Sequence, residues 1–380
     1  MPLSEEKKKK VKKKLGEFLK KYEDKSGTVK AGVTVGFMAD NPDKWITNRL
    51  PTGIIGFDVL TGGGWAKGKI NQLWGAEGAG KSTVMLKTIA YGQKELDDFL
   101  GLYLNNEKTL DSKYAEYLGV DPEELLVGEL TTTEESGDFI NHVTDPETGV
   151  DLAAFDTIQA LSPKGEIENA KGKEKSVEDN TIGLIPRVYS QFLRMYTSKN
   201  IGKMTLILGS QVRMDLGGFM PVTKETGGNA IKHYNILTVQ MTELSITGQG
   251  NWPYAVTNAT APPKSFPVKL KIRKAKLDNR YKGNELKIYF YMGKLERKFN
   301  VLAIGKDLGL HDGKTLNYQA PSEQNGESVQ DHKEFKAKGF KDMYNRIPDE
   351  AVDWLEGQLM DAYTNKIMLE PKPEEDEDDV

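Results

Sequence analysis

Short apolar runs alternate with helix-like segments through most of the first 245 residues. The runs that read as strands lie at 70–74, 101–104, 125–129, 152–156, 204–209 and 236–241. Before the fifth run, apolar residues recur at helical spacing and predict an amphipathic helix, which presents Ile182, Ile185, Tyr189, Phe192 and Tyr196. Strands that alternate with helices in this way predict an α/β fold with a parallel central sheet covered by helices.

The pattern changes after about residue 244. Polar turns and alternating strands at 268–272 and 286–291 predict an antiparallel extension of the sheet. From about Lys306 the chain is polar and glycine-rich until a helical pattern begins at 349 and continues to 366. We therefore expect a core at 36–300 and a small C-terminal domain at 301–369.

The two ends of the chain carry opposite charge. Ser4 can cap a helix whose apolar stripe is narrow and otherwise surrounded by lysines; the stripe consists of Val11, Leu15, Phe18 or Leu19, and Tyr22. We expect this helix and a linker to occupy 1–35. The stripe could pack on its own domain or on a neighbouring subunit, or the lysines of the helix could contact phosphate. Residues 370–380 are predicted to form a disordered acidic tail. The alternative to a specific function is that the charges of this tail serve solvation alone.

Composition narrows the class of protein. The 380 residues include no cysteine, which excludes disulfides and thiolate metal sites. No apolar stretch of about 18 residues is present, so we expect no membrane partner and a cytoplasmic location, in a bacterial cell or a phage-infected host. Because the net charge is −4, any contact with nucleic acid must come from local basic patches.

A glycine-rich segment directly follows the first predicted strand of the sheet and directly precedes a helical pattern. It matches G-x-x-x-x-G-K-S, and its candidate phosphate-binding residues are Gly75, Glu77, Gly78, Ala79, Gly80, Lys81, Ser82 and Thr83. Glycines let backbone N–H groups turn toward phosphate oxygens, a lysine can bridge the β and γ phosphates, and a serine hydroxyl can bind Mg²⁺. The alternative is a glycine-rich turn that fits the pattern by chance.

Two later strands end in carboxylates. Asp156 closes the run 152–156 and is placed to orient Mg²⁺, so the candidate metal ligands are Ser82 and Asp156. Glu107 follows the run 101–104 and is suited to polarise an attacking water. Each acid alone is a weak signal, but their order after a phosphate-binding loop strengthens both assignments.

Several segments, in order, resemble the RecA family of strand-exchange recombinases, including the recombinases that phages carry. The segments lie at 51–58, 62–70, 106–121, 160–168, 210–214 and 226–232, and the resemblance extends from about 51 to 290. It implies a RecA-like P-loop ATPase core that binds ATP and Mg²⁺, and an N-terminal helix that serves polymerisation.

The resemblance also implies roles for single residues. Asp111 and Tyr114 would contact adenine, and Gln211 would sense the γ-phosphate and couple it to the loop that follows. Lys274 and Lys276 would reach a neighbouring subunit's ATP, which makes the catalytic set Glu107, Lys81, Gln211, Lys274 and Lys276. Two cations added from a neighbour stabilise the transferring phosphoryl group only after assembly. The alternative for this lysine pair is an exposed strand face.

DNA-binding loops are expected near 166–182 and 211–228. The second is the stronger candidate, because a mobile backbone with an apolar wedge and nearby cations suits the support of single-stranded bases. Its candidate residues are Arg213, Met214, Gly217, Gly218, Phe219, Met220, Lys224, Thr226, Gly227, Gly228 and Asn229. An ordinary surface loop would look similar.

These observations favour an ATP-dependent recombinase that polymerises on single-stranded DNA and catalyses strand exchange. The expected partners are single-stranded DNA, homologous duplex DNA, further copies of this chain, and single-strand-binding and mediator proteins. One alternative is a hexameric RecA-fold helicase or translocase. A second is a mediator protein that binds DNA without hydrolysing ATP.

Overall fold

The computed structural model describes residues 3–24, 34–40, 45–168, 184–201, 204–215, 222–225, 229–245, 265–291, 293–324 and 327–369. The helices are α1 (Glu5–Leu19), α2 (Ile55–Thr61), α3 (Lys81–Glu95), α4 (Ser112–Leu118), α5 (Thr133–Val143), α6 (Lys164–Ile167), α7 (Leu184–Lys199), α8 (Asn229–Tyr234), α9 (Arg297–Asp307), α10 (Phe340–Arg346) and α11 (Asp349–Leu369). The strands are β1 (Arg49–Leu50), β2 (Trp65–Ala66), β3 (Ile70–Gly75), β4 (Leu100–Asn105), β5 (Leu125–Gly128), β6 (Val150–Asp156), β7 (Thr205–Asp215), β8 (Val222–Glu225), β9 (Leu237–Glu243), β10 (Ser265–Ala275), β11 (Glu285–Tyr291), β12 (Lys294–Leu295), β13 (Thr315–Gln324) and β14 (Glu327–Lys336).

The central sheet has the strand order β12-β11-β10-β9-β3-β7-β6-β4-β5. Neighbours from β9 to β5 run parallel. The pairs from β9 to β12 are antiparallel. The predicted α/β fold, with its parallel sheet and antiparallel extension, is confirmed. The carboxyl ends of β3, β4, β6 and β7 therefore meet at one edge, where ligands bind in open α/β sheets.

Side chains of the parallel strands alternate between two buried clusters. Leu152 and Ala154 of β6 belong to the cluster that includes residues of α3. Ala153 and Phe155 belong to the cluster on the opposite face, which includes residues of α5 and α7. A strand buried on both faces reads as a continuous apolar run, which explains why this strand was recognisable in the sequence.

Local sequence determines where several helices begin. Thr132 caps α5 through a capping box, because its side chain accepts from Glu135 N while the Glu135 side chain accepts from Thr132 N. In α7, Tyr189, Phe192 and Tyr196 are buried, as their helical spacing predicted. Among the described residues, no helix is long and apolar enough to cross a membrane.

The C-terminal segment packs on the same buried cluster as α2. Leu316 of β13, Met343 of α10 and Leu355 of α11 belong to that cluster together with Phe57 of α2. The boundary expected between residues 300 and 301 lies within α9. Division of the chain into separate domains therefore stays a proposal.

The N-terminal helix α1 has no buried residue against the rest of the described chain. Lys12 contacts Asp40 at 2.6 Å and lies 5.7 Å from the centre of the Phe37 ring. Two residues of the predicted stripe, Val11 and Phe18, are 39% and 41% exposed. The helix is therefore formed as predicted, and the described part of its own chain covers its stripe only in part.

Candidate functional site

The phosphate-binding loop connects β3 to α3, as the sequence predicted. Gly80 has φ 89°, a left-handed conformation that favours glycine, at the position before the first helical residue. A Cβ on Gly75 would lie 2.8 Å from the carbonyl oxygen of Met241, so the start of the loop also needs glycine. The loop therefore places the N-terminus of α3, with its N–H groups, at the carboxyl edge of the sheet.

Lys81 is folded back over the loop that precedes it. Its Nζ donates to the carbonyl oxygens of Gly75, at 3.1 Å, and Ala76, at 2.9 Å. Burial lowers the pKa of Lys81, and the nearby carboxylates of Asp156 and Glu107 oppose that effect. Two carbonyl contacts satisfy this amine, and phosphate oxygens could replace them.

Asp156, at the end of β6, is the buried carboxylate of the site. Its Oδ2 accepts from Ser82 Oγ at 2.5 Å and from the Tyr103 hydroxyl at 2.5 Å. Its Oδ1 is buried and has no hydrogen-bond partner among the described residues. Burial raises the pKa of Asp156, and the hydrogen bonds from Ser82 and Tyr103 oppose the rise.

These oxygens fit a small, hard cation that shares its coordination with phosphate. Mg²⁺ is commonly bound by one or two carboxylates together with substrate phosphates and water. The described residues contain no group of three or more His, Cys, Asp or Glu side chains that could hold a metal alone. Asp156 matches the shared arrangement, because its Oδ1 is unpartnered while its Oδ2 accepts from the Ser82 hydroxyl.

A second set of contacts surrounds Glu107, just beyond the end of β4. Glu107 Oε1 accepts from Thr157 Oγ1 at 2.6 Å and from Gln211 Nε2 at 2.8 Å. Glu107 and Gln211 line a cavity of about 320 Å³ together with Asn106, Gln159 and Ala160. Because Thr157 follows Asp156 directly, the two carboxylates and Gln211 belong to one connected group.

The candidate adenine contacts lie on α4, next to α3. The Tyr114 hydroxyl donates to the carbonyl oxygen of Gly293 at 2.9 Å, so it accepts from Thr83 Oγ1 at 2.8 Å. Asp111 is the N-cap of α4, and its side chain accepts from Tyr114 N at 2.8 Å. Both residues therefore have structural roles, and their contact with adenine stays a proposal.

Lys274 and Lys276 lie at the end of β10, beside α8. Lys276 Nζ donates to the carbonyl oxygen of His233 at 2.5 Å, and Lys274 Nζ donates to that of Lys232. Cations at a helix C-terminus stabilise its last carbonyls. The proposed contact with a neighbour's nucleotide would require a second copy of the chain.

The two candidate DNA-binding segments are described only in part. Arg213 on β7 pairs with Lys224 on β8, and Met214 pairs with Thr223, so the second segment includes an antiparallel strand pair. Asn229 is the first residue of α8. Residues 169–182 of the first segment lie outside the described residues, as do Gly217, Gly218, Phe219, Met220, Thr226, Gly227 and Gly228 of the second.

Sequence reasoning missed Tyr103, Thr157 and Gln159. Gln159 Oε1 accepts from the backbone N of Gln211 at 3.0 Å, which connects β7 to the loop after β6. A tyrosine inside a buried strand needs a partner for its hydroxyl, but the sequence did not show that the partner of Tyr103 is Asp156. Thr157 and Gln159 follow the strand end, and nothing in the pattern marked their partners.

The parallel sheet, the glycine-rich loop before α3 and the buried carboxylate at the end of β6 are typical of P-loop proteins. A sequence model of the RecA N-terminal domain matches residues 13–294. The chain is also similar to the protein RecA of Francisella tularensis subsp. novicida (strain U112) and subsp. holarctica (strain LVS), with 35% identity over 225 residues in each case. The aligned part is 56% of this chain and 60% of the length of those relatives. The chain belongs to the RecA family.

Proposed function

We propose that this chain is an ATP-dependent DNA recombinase. It would form helical filaments on single-stranded DNA and catalyse homologous pairing and strand exchange in recombination and repair. Membership of the RecA family supports this function. Its partners would be single-stranded DNA, homologous duplex DNA, further copies of the chain, and accessory single-strand-binding and mediator proteins in a bacterial cell or a phage-infected host.

One observation carries the proposal: the hydrogen bond of 2.8 Å between Gln211 Nε2 and Glu107 Oε1. Glu107 is the candidate base for ATP hydrolysis, and Gln211 lies on β7, which continues into the second candidate DNA-binding segment. A structural change at Glu107 or in the second candidate DNA-binding segment can therefore affect the other through this hydrogen bond. Such a contact suits an ATPase whose activity depends on bound DNA.

The described residues support a separate role for each side chain at the reacting phosphate. Lys81 would hold phosphate oxygens, while Ser82 and Asp156 would hold Mg²⁺, which neutralises charge on the phosphates. Glu107 would accept the proton of the attacking water, and Gln211 would contact the γ-phosphate. Lys274 and Lys276 of a neighbouring copy would add positive charge in the assembled filament.

Pairing of circular single-stranded DNA with a linear duplex, in the presence of ATP and Mg²⁺, tests the proposal. We expect joint molecules with a homologous duplex and none with a heterologous duplex of equal length. ATP hydrolysis accompanied by duplex unwinding, with no dependence on homology, would instead support the helicase alternative.

A further inference from the structure

Tyr103 lies on β4, one strand away from the carboxylate at the end of β6. The side chain is 2% exposed, and its hydroxyl donates to Asp156 Oδ2 at 2.5 Å. In the parallel pairing of these strands, Tyr103 is opposite Ala154 and Asn105 is opposite Asp156. The phenol therefore reaches along the sheet toward the strand end, where the candidate phosphate-binding loop also lies.

The same carboxylate oxygen accepts a second hydrogen bond, from Ser82 Oγ at 2.5 Å. The two donors come from different elements, β4 and α3, so together they restrict rotation of the carboxylate. The other oxygen, Asp156 Oδ1, is buried and unpartnered among the described residues. Leaving a buried polar atom without a partner is unfavourable, so this oxygen points to a ligand that would contact it.

The two donors would respond differently to a bound cation. The oxygen of Ser82 would also have to face the cation while its hydroxyl still donates to Asp156 Oδ2. Tyr103 has no such second task, because its side chain is 2% exposed and its ring belongs to the buried cluster. Its hydrogen bond can therefore hold Asp156 both before and after the cation binds.

We propose that Tyr103 is a positioning residue for the divalent cation that accompanies the nucleotide. By fixing Oδ2 of Asp156, it directs Oδ1 toward the cation or a water bound to it. This inference rests on the proposed function, because it assumes that the loop before α3 binds a Mg²⁺–nucleotide complex. It assigns a task to a residue that lies outside the phosphate-binding loop.

The chemistry of the phenol supports this role. A tyrosine hydroxyl can donate one hydrogen bond, and here its acceptor is Asp156 Oδ2. Groups that orient metal-binding carboxylates change metal affinity by about 10- to 100-fold when they are removed.

Tyr103→Phe tests the proposal, since it removes the hydroxyl and leaves the ring in the core. The measurement is the fluorescence of N-methylanthraniloyl-ADP bound to the full-length protein, titrated with MgCl₂ after treatment with EDTA. We expect the Mg²⁺ concentration at half-maximal binding to rise about 10-fold, the low end of such effects, because Ser82 Oγ still donates to the same carboxylate oxygen. At saturating Mg²⁺, nucleotide affinity should match that of the wild-type protein.

Tyr196→Phe is the matched control. Its hydroxyl is also buried and donates to the carbonyl oxygen of Met204 at 2.6 Å, on the other face of the sheet. Tyr196→Phe should lower the thermal midpoint about as much as Tyr103→Phe does, and it should leave the Mg²⁺ midpoint unchanged. If Tyr103 had only a structural role, Tyr103→Phe would also leave the Mg²⁺ midpoint unchanged.

Three outcomes would overturn the inference. A Tyr103→Phe protein with the wild-type Mg²⁺ midpoint would overturn it alone, as would an equal shift in Tyr196→Phe. If the wild-type protein binds the nucleotide equally well with and without Mg²⁺, the proposed cation site is wrong. That last outcome would also contradict the proposed function.

Discussion

Lys81 is the single residue on which the proposed chemistry depends most. Its amine has two carbonyl contacts that phosphate could replace, and its charge lies near Asp156 and Glu107. Lys81→Ala should lower DNA-stimulated ATP hydrolysis by about 100-fold or more, the effect expected when one preorganised group at the reacting charge is removed.

Lys94→Ala is the control for this prediction, because Lys94 lies in the last turn of the same helix and is exposed. Phosphate release, measured with and without single-stranded DNA, should be nearly unchanged in that variant. Full turnover by the Lys81→Ala protein would contradict the assignment of the site.

Asp58 on α2 gives the protein a pH-dependent stability. Burial raises its pKa to about 7, although its carboxylate accepts from Thr52 N at 2.9 Å and Thr52 Oγ1 at 2.8 Å. Between about pH 4 and pH 7 the folded protein keeps a proton that the unfolded chain has lost. Asp58 therefore stabilises the fold most below this window, and its contribution falls as pH rises through it.

Asp58→Asn removes this titration. The free energy of unfolding of the wild-type protein, relative to that of the variant, should fall by about 2 kcal/mol between pH 5 and pH 7. Urea unfolding of both proteins across this range measures the difference. A difference that does not change with pH would contradict the assignment of the raised pKa to Asp58.

Residues that belong to a contiguous motif could be predicted from the sequence, and residues defined by tertiary contacts could not. Lys81 and Ser82 follow from the spacing of the glycine-rich loop, and Asp156 follows from its place at a strand end. Tyr103 and Thr157 become significant only because β4 and β6 are neighbours in the sheet. Strand order is a long-range property that periodicity does not contain.

Among the elements, those with strong apolar patterns were predicted best. The strands expected at 70–74 and 152–156 are confirmed as β3 and β6, each extended by one or two residues. The hairpin of β13 and β14 was not predicted, because it forms a separate two-stranded sheet in a polar, glycine-rich part of the chain. Leu316 and Tyr318 are buried there, but few apolar positions accompany them.

The helix α1 is the element that we propose to mediate assembly. Val11, Phe18 and Tyr22 of its stripe are exposed in the single chain, and a contact between unlike surfaces of adjacent copies builds an open helix when its rotation does not close. Deletion of residues 1–25 should leave a folded protein that polymerises poorly on DNA. Sedimentation or light scattering with single-stranded DNA measures the assembly.

Point variants separate the stripe from the rest of the helix. Leu15→Ser removes a half-buried apolar side chain from the stripe, whereas Glu17→Ser changes an exposed residue outside it. Only the first should weaken assembly. Undiminished filament length in the deletion protein would show that α1 is not the assembly element.

For the whole molecule, the acidic tail at 370–380 lies outside the described residues and provides a prediction from charge alone. Because the tail is joined to the chain, its carboxylates would have a high effective concentration near basic DNA-binding residues, where they would compete with phosphate. Salt should weaken this competition, since the Debye length falls from about 30 Å at 0.01 M to about 10 Å at 0.1 M.

Truncation after Leu369 should therefore tighten DNA binding most at low salt and low Mg²⁺, especially to duplex DNA. Fluorescence anisotropy of labelled oligonucleotides over a salt titration measures the effect. A tail of equal length with its acids replaced by amides should behave like the truncation. Equal affinities of the truncated and full-length proteins at every salt concentration would leave the tail with a role in solubility alone.

Electron microscopy of the protein with single-stranded DNA and a slowly hydrolysed ATP analogue tests the central claim most directly. A recombinase of this family should form continuous helical filaments on the DNA, and Lys81→Ala should prevent or shorten them. Closed rings on the DNA, or isolated monomers in the presence of DNA and nucleotide, would contradict the claim.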